Sequence, residues 1–362
     1  MTGQSNMMGY GRVSDPKIKG TLEHITQVER KYQHLLDANG KFSRRQDVRN
    51  VYKNTIGNDK QSWLGVGGSA AVGGNFIGPE LQVGHILGAM LEEPVLILKV
   101  GTGNRALGWD FLPPGSEPTH FNGLTFAGHG ECPASFPVNS TAGQESSQCR
   151  CRLGSRGCAE VFWSTPDTCR RCWCKEDGTC PGAFYAGYQY EKDLISAKSV
   201  LDNLGDYFPG YQQQGFEIGG YFFWQGHRDT LSGGHANAYY TNLVQYITTM
   251  RRDFASYEGG SSAPFVQGSI GFGGCGKTDA NTQKVWQAQM DTDSASGVAG
   301  LPRVSTIDAR SFWRSSNESP RFEIPHYHQN ANTYLEIGTK LGWQMVDFLK
   351  GTNYMEEPKC PS

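Results

Sequence analysis

The stretch PVLILKV, residues 94–100, is apolar at every position but Lys99. A run of strand length without polar alternation belongs in a parallel strand covered on both faces, since any face turned to water would expose Val, Leu or Ile. That one run demands covering layers on two sides. It points to a chain in which strands alternate with helices.

The rest of the sequence follows suit. GPELQVGHILGAMLEE, from Gly78, has apolar residues at helical spacing, with Pro79 suited to a first helical turn. Downstream, YEKDLISAKSVLDNL reads as an amphipathic helix and GFEIGGYFFWQGHRD as a strand running into a loop. AYYTNLVQYITTMRRDF reads as a helix, and APFVQGSIGF and LPRVSTIDA as strands. NANTYLEIGTKLGWQMVDFLK is a long last helix with Asn330 as its N-cap. Residues 16–64 are polar and mixed and read as surface loop with one short helix. The expectation is an α/β fold on a mainly parallel sheet, with its chemistry gathered where strands end.

Composition narrows the partners. A length of 362 with 37% hydrophobic and 12% aromatic residues suffices for a large core. A net charge of −2 without any basic run argues against nucleic acid or an anionic membrane surface. No stretch approaches the ~20 apolar residues of a membrane span.

Of the ten cysteines, eight fall between Cys132 and Cys180, while Cys275 and Cys360 stand alone. So dense a cluster with few aliphatic neighbours reads as a disulfide-stapled insertion over residues 115–182. A zinc knuckle is the rival reading, because CRRCWC contains C-x-x-C, but the one-residue gap of CRC is tight for two ligands of one ion. The glycosylation triplets at Asn139 and Asn317 agree with an oxidising, extracellular setting.

Four polar loops carry groups able to do chemistry. GQSNM offers the hydroxyl of Ser5 between Gly3 and Asn6, and GTGNR after PVLILKV offers Gly103, Asn104 and Arg105. WQGHRD offers Gln225, His227 and Asp229, and IPHYHQN offers His326 and His328. Nucleophilic acyl transfer needs a hydroxyl, an imidazole base with an orienting partner, and N–H donors for the oxyanion. His85, on the GPELQVGHILG helix, is the bland case of a packed helix histidine.

In order and type these loops resemble the SGNH-type hydrolases, specifically the sialate O-acetylesterase-like carbohydrate esterases that include acetylxylan esterases. The resemblance spans nearly the whole chain outside the Cys-rich insertion. It implies a three-layer α/β/α sandwich with a mainly parallel, flavodoxin-like sheet, and one domain over residues 1–362 that carries the insertion as a loop. It also implies acetylated carbohydrate as substrate, and neither metal nor organic cofactor.

Carried over, the resemblance makes Ser5 the nucleophile, with its own N–H and that of Gly103 in the oxyanion hole and Asn104 or Gln225 as a further donor. The base is His326 by the H-Y-x-x-N-A-x-T-Y pattern, or His328 by spacing from the last helix. Where many members have an aspartate three residues before the histidine, Glu323 precedes His326 and Pro325 precedes His328. His227 replaces the acid that commonly follows Q-G, leaving Asp229 as the alternative third member. Arg105, Trp109 and Trp224 are candidate substrate contacts. A catalytically inactive relative that binds glycan or a partner through the same cleft is the competing expectation.

In relatives the GQSN turn follows a buried first strand, whereas here only Met1 and Thr2 precede Gly3. A missing first strand, a loosely held Ser5 and an upstream signal peptide for secretion are therefore expected.

Overall fold

The computed structural model describes residues 1–54, 59–67, 73–130, 151–154, 157–161, 186–355 and 360. Its centre is a run of strands, β1 (Thr2–Gly3), β2 (Arg44–Lys53), β3 (Lys60–Gly65), β4 (Val95–Val100), β5 (Tyr221–Trp224), β6 (Phe265–Gly268) and β7 (Val304–Ile307). One hydrogen-bonded group has the order β3-β2-β4 and another β1-β5-β6-β7. Met1 joins them, donating from its N to Leu98 O at 2.7 Å and accepting from Val100 N at 2.9 Å. Those two bonds follow the slanted pattern of a parallel ladder. Of these seven strands only β3 runs antiparallel to its neighbour.

Pleating sends alternate residues of β5 to opposite cores. Phe222 and Trp224 pack with Val266 and Ile307 beneath helices α2 (Glu80–Met90) and α7 (Ala331–Lys350). Tyr221 and Phe223 pack on the other face, with α3 (Tyr188–Asp202), which leads into the short α4 (Leu204–Tyr207), and with α5 (Gly233–Asp253) and α6 (Ala280–Asp291). The expected α/β layering with a mainly parallel sheet is therefore present. Among the described residues no helix is long and apolar enough to cross a membrane.

Several local readings change. Residues 44–65, expected as loop, form β2 and the antiparallel edge strand β3. Their sequence RRQDVRNVYK hides a strand because polar residues interrupt it, although Val48, Asn50, Val51 and Tyr52 are buried. Helix α6 also went unread; Asp279 caps it by accepting from Thr282 N at 3.0 Å. Cys275 and Cys360, the two cysteines outside the cluster, are joined in a disulfide across 85 residues of sequence.

Most of the Cys-rich segment, with Asn139 and the expected disulfide staples, lies outside the described residues. Within it, Cys151–Gly154 pairs antiparallel with Gly157–Val161. Asn317 is exposed on a short 3-10 turn.

The short β1 is the element that places Ser5. Thr2 and Gly3 lie opposite Phe223 and Trp224, and the chain then turns into α1 (Ser5–Met8). The serine is thus held at the centre of the sheet, 7% exposed, and not on a loose end. Gly3 has φ +147, and a Cβ there would collide with the carbonyl oxygen of Trp224. Gly101, at the end of β4, has φ +149 and would place a Cβ 2.7 Å from Gly3 O. Close backbone approach on both sides of the turn requires glycine at both places.

Candidate active site

The strand order puts β1 between β4 and β5, and the chain leaves β1 toward one edge and β5 toward the other. Such a reversal opens a crevice at the carboxyl ends of the strands. Ser5 follows β1, the GTGNR loop follows β4, and the QGHRD loop follows β5. An apolar cavity of about 1150 Å³ runs along β4 from Val95 to Val100 and reaches Thr2 and Tyr221, but Ser5, Gly103, His227 and His326 do not line it.

Residues on either side of Ser5 fasten the neighbouring loops. Gln4 N donates to Trp224 O at 3.2 Å, and Gln4 Oε1 accepts from Gly226 N and Arg228 N, both at 3.3 Å. Asn6 Nδ2 donates to Pro325 O at 3.1 Å, while its Oδ1 accepts from Tyr334 OH at 2.8 Å. The dipeptide partners of the serine therefore tie it to the loop of His227 and to the loop of His326. Gly103 lies directly against it, since a Cβ on Gly103 would be 3.8 Å from Ser5 Cβ. Asn104 beside it holds a left-handed φ of 59.

His326 and His328 are separated by their partners. His326 Nδ1 is 2.5 Å from Glu323 Oε1, and its ring stacks on Tyr10 at 4.0 Å with an interplanar angle of 4°. A carboxylate on Nδ1 fixes the proton there and leaves Nε2 bare as a proton acceptor. Partial burial opposes the charge of Glu323, but the hydrogen bond and charge of His326, with Gln329 and Arg321, prevail and hold its carboxyl below the usual range. Gln329 Nε2 donates to the other carboxylate oxygen, Oε2, at 2.6 Å.

His328 turns the other way. It is 3% exposed, packs on Trp313 and Phe322, and accepts from Glu323 N on its Nδ1 at 2.9 Å. Tyr327, His328 and Gln329 all hold left-handed backbone, with φ of 50, 56 and 59. Consecutive non-glycine residues in that region are costly and persist only where surroundings fix them. Here Tyr327 OH accepts from Gly271 N at 2.9 Å, and Asn330 caps α7 by accepting from Asn332 N at 3.0 Å.

Gln225 and Asp229 are engaged elsewhere. Asp229 is fully buried and accepts from Leu107 N at 2.9 Å and Gly108 N at 2.8 Å. Gln225 Nε2 donates to Asp229 Oδ2 at 2.6 Å and to Arg105 O at 2.9 Å, while Tyr239 OH donates to Gln225 Oε1 at 2.8 Å. The two amide hydrogens of Gln225 are thus committed to bracing the GTGNRALG loop, which replaces the oxyanion role expected of it. Burial raises Asp229 to about 6, against the lowering effect of those donors. The arrangement makes Asp229 an anchor of the loop that carries Gly103, not the partner of a histidine.

Replacing Asp229 by Asn would set an NH₂ against N–H groups and leave at least one buried donor unmatched. The expected loss is roughly 2 kcal/mol of stability or more, read as a lowered Tm. Any activity that uses the Gly103 N–H should fall with it by about tenfold or more, because the loop that carries Gly103 is displaced.

The aromatic candidates are core residues. Trp224 is 1% exposed, donates from Nε1 to Ser269 O at 3.2 Å and packs on Tyr327 and Tyr334. Trp109 is 4% exposed in a small cluster with Ala106, Leu112, Ala127 and Ala186. Neither ring presents a face for a sugar, and a Trp next to a loop does not reveal this in sequence. Arg105 is partly buried, with Nη1 3.6 Å from Asp110 Oδ1. Tyr10, absent from the sequence-based candidates, is the residue that stacks on His326; its place five residues after Ser5 was the available signal.

Residues 196–347 match the family described as carbohydrate esterase, sialic acid-specific acetylesterase. The chain resembles the sialate O-acetylesterase-like carbohydrate esterases. The matched residues contain Gln225, His227, Asp229, Glu323, His326 and His328, while Ser5 and the GTGNR loop precede them. No curated protein matches the chain significantly.

Among solved structures, a protein from Arabidopsis thaliana is similar at 14% identity over 96% of each chain, with a TM-score of 0.47. A carbohydrate acetylesterase from Xanthomonas citri is similar at 12% identity over 97% of this chain and 56% of that one, with a TM-score of 0.47. NanS is similar at 13% identity over 97% and 96%, with a TM-score of 0.45. Likenesses of that degree carry no part of the functional reading.

Proposed function

We propose that this chain is a serine esterase that removes acetyl groups from carbohydrate. The observation that carries the reading is the Glu323–His326 pair, bare at Nε2 and fastened through Asn6 and Tyr10 to the turn that presents Ser5. The family match over residues 196–347 supports ester hydrolysis, and acetylated sugar is the substrate class that its description suggests.

In this reading His326 Nε2 accepts the Ser5 proton as Oγ bonds to the acetyl carbonyl carbon. The oxyanion is met by the N–H groups of Ser5 and Gly103. The carbon–oxygen bond to the sugar breaks, and the imidazolium, balanced by Glu323, returns its proton to the departing hydroxyl. Water then attacks the acetyl-enzyme, gives a proton to His326, and acetate leaves as Oγ recovers that proton. His328 acts through Glu323, whose backbone it braces. No step requires a metal or cofactor.

The reading extends to the whole chain as one esterase domain with the Cys-rich insertion at 115–182. A secreted, glycosylated protein is proposed, supported by the Cys275–Cys360 disulfide and the exposed Asn317. The test is free acetate released from acetylated xylan, O-acetylated sialic acid and p-nitrophenyl acetate. Acetate from at least one sugar substrate is expected. Sugar binding without acetate from any of the three would identify an inactive binding protein instead.

A further inference from the structure

His227 stands where relatives commonly place an acid, so no established role passes to it. Its position is nonetheless well defined. Gly226 and Arg228, on either side, both donate to Gln4 Oε1, which holds His227 beside the residue that precedes Ser5. Phe272 meets its ring edge-on at 4.8 Å and 85°. Among the described residues nothing hydrogen-bonds the ring nitrogens. Burial, then the neighbouring His326 and Arg228, lower it to about 4, so near neutral pH it carries one N–H and one bare nitrogen.

The sheet order supplies the direction. Gly103 follows β4 and His227 follows β5, so the two lie on opposite sides of β1 and of Ser5. An ester bound with its carbonyl oxygen toward Gly103 directs its methyl and its alcohol oxygen both away from β4, and one of them onto the β5 side. A neutral imidazole matches a sugar hydroxyl, which both donates and accepts.

We propose that His227 is a substrate-binding residue that holds the alcohol half of the ester by hydrogen-bonding a sugar oxygen beside the acetylated position. The proposal rests on Ser5 being the nucleophile, and deepens that reading by separating an acyl side from an alcohol side of the site.

The test compares kcat/KM on acetylated xylo-oligosaccharide with kcat/KM on p-nitrophenyl acetate, whose leaving group has no sugar hydroxyls. O-acetylated sialic acid takes the place of the first substrate if xylo-oligosaccharide yields no acetate. His227→Ala is expected to lower the ratio of the two values roughly three- to tenfold, chiefly through KM for the sugar. His227→Gln should recover part of the ratio. If His227→Ala fails to fold, His227→Phe keeps an aromatic edge against Phe272, removes both nitrogens and should lower the ratio equally. An unchanged ratio in whichever of these variants folds overturns the proposal. Ser5→Ala with undiminished hydrolysis of both substrates would instead refute the underlying reading, a result that no His227 variant can mimic.

Discussion

Ser5→Ala is expected to reduce ester hydrolysis by on the order of 10⁴-fold or more while leaving the melting temperature close to that of the parent. The rate falls because the proposed nucleophile is gone, and the remaining groups can only polarise the carbonyl for attack by water. The fold survives because the turn is held by backbone and by the neighbours of the serine. Gln4 N bonds Trp224 O, Gly9 N bonds Ser5 O at 3.0 Å, and Asn6 bonds Pro325 O and Tyr334 OH. Alanine fits the space of a serine that is already 7% exposed. Initial rates on p-nitrophenyl acetate together with a thermal melt check both halves. A variant that keeps its rate would remove Ser5 from the chemistry.

The second large effect separates two histidines that lie two positions apart. His326→Ala should lower kcat/KM by roughly 10³-fold or more, because it deletes the only ring whose Nδ1 faces a carboxylate in this loop. The double variant with Ser5→Ala should be hardly worse than either single one, since a nucleophile and its base fail together. His328→Ala should act differently. It empties a packed site between Trp313 and Phe322 and strands the N–H of Glu323, at a cost of about 2–4 kcal/mol in stability. Its rate should fall only about tenfold, through a less ordered Glu323. Kinetics and melts on the pair distinguish the base from its support. Equal rate losses with unequal melts would leave the assignment to His326 unsupported.

What the sequence disclosed depended on whether one physical cause dominated locally. PVLILKV lies between two helical layers, so its composition alone specified β4. Asn330 was legible as a cap because its side chain does what an N-cap side chain does. RRQDVRNVYK was opaque because β2 lies beside an exposed antiparallel edge, where Arg49 reaches Tyr207 O and stacks over Trp63 instead of following a simple alternation. The disulfide from Cys275 to Cys360 joins distant segments, and spacing says nothing about such closures.

At the candidate site, the motifs picked out loops that the fold brings to one end of the sheet, but not the direction of each side chain. Gln225 and Asp229 read as donor and acid, yet in their buried positions they satisfy the N–H groups of Leu107 and Gly108 and the carbonyl of Arg105. Glu323 and His326, three residues apart, meet across a 3-10 turn in which His326 N donates to Glu323 O at 3.1 Å, and the left-handed backbone that begins at Tyr327 then returns His328 to Glu323 N. Nothing in IPHYHQN announces that geometry. The expected loss of the first strand was replaced by a two-residue β1 that still occupies the sheet centre.

The proposed chemistry requires that Ser5 be the residue that attacks. A fluorophosphonate ester offered to the folded protein, followed by proteolysis and mass spectrometry, tests this directly, because the reagent labels a hydroxyl only where a base and an oxyanion site surround it. One adduct is expected, on the peptide that contains Ser5, lost in His326→Ala and retained in large part in His328→Ala. An active protein that carries its adduct on another serine, or that carries none, would contradict it.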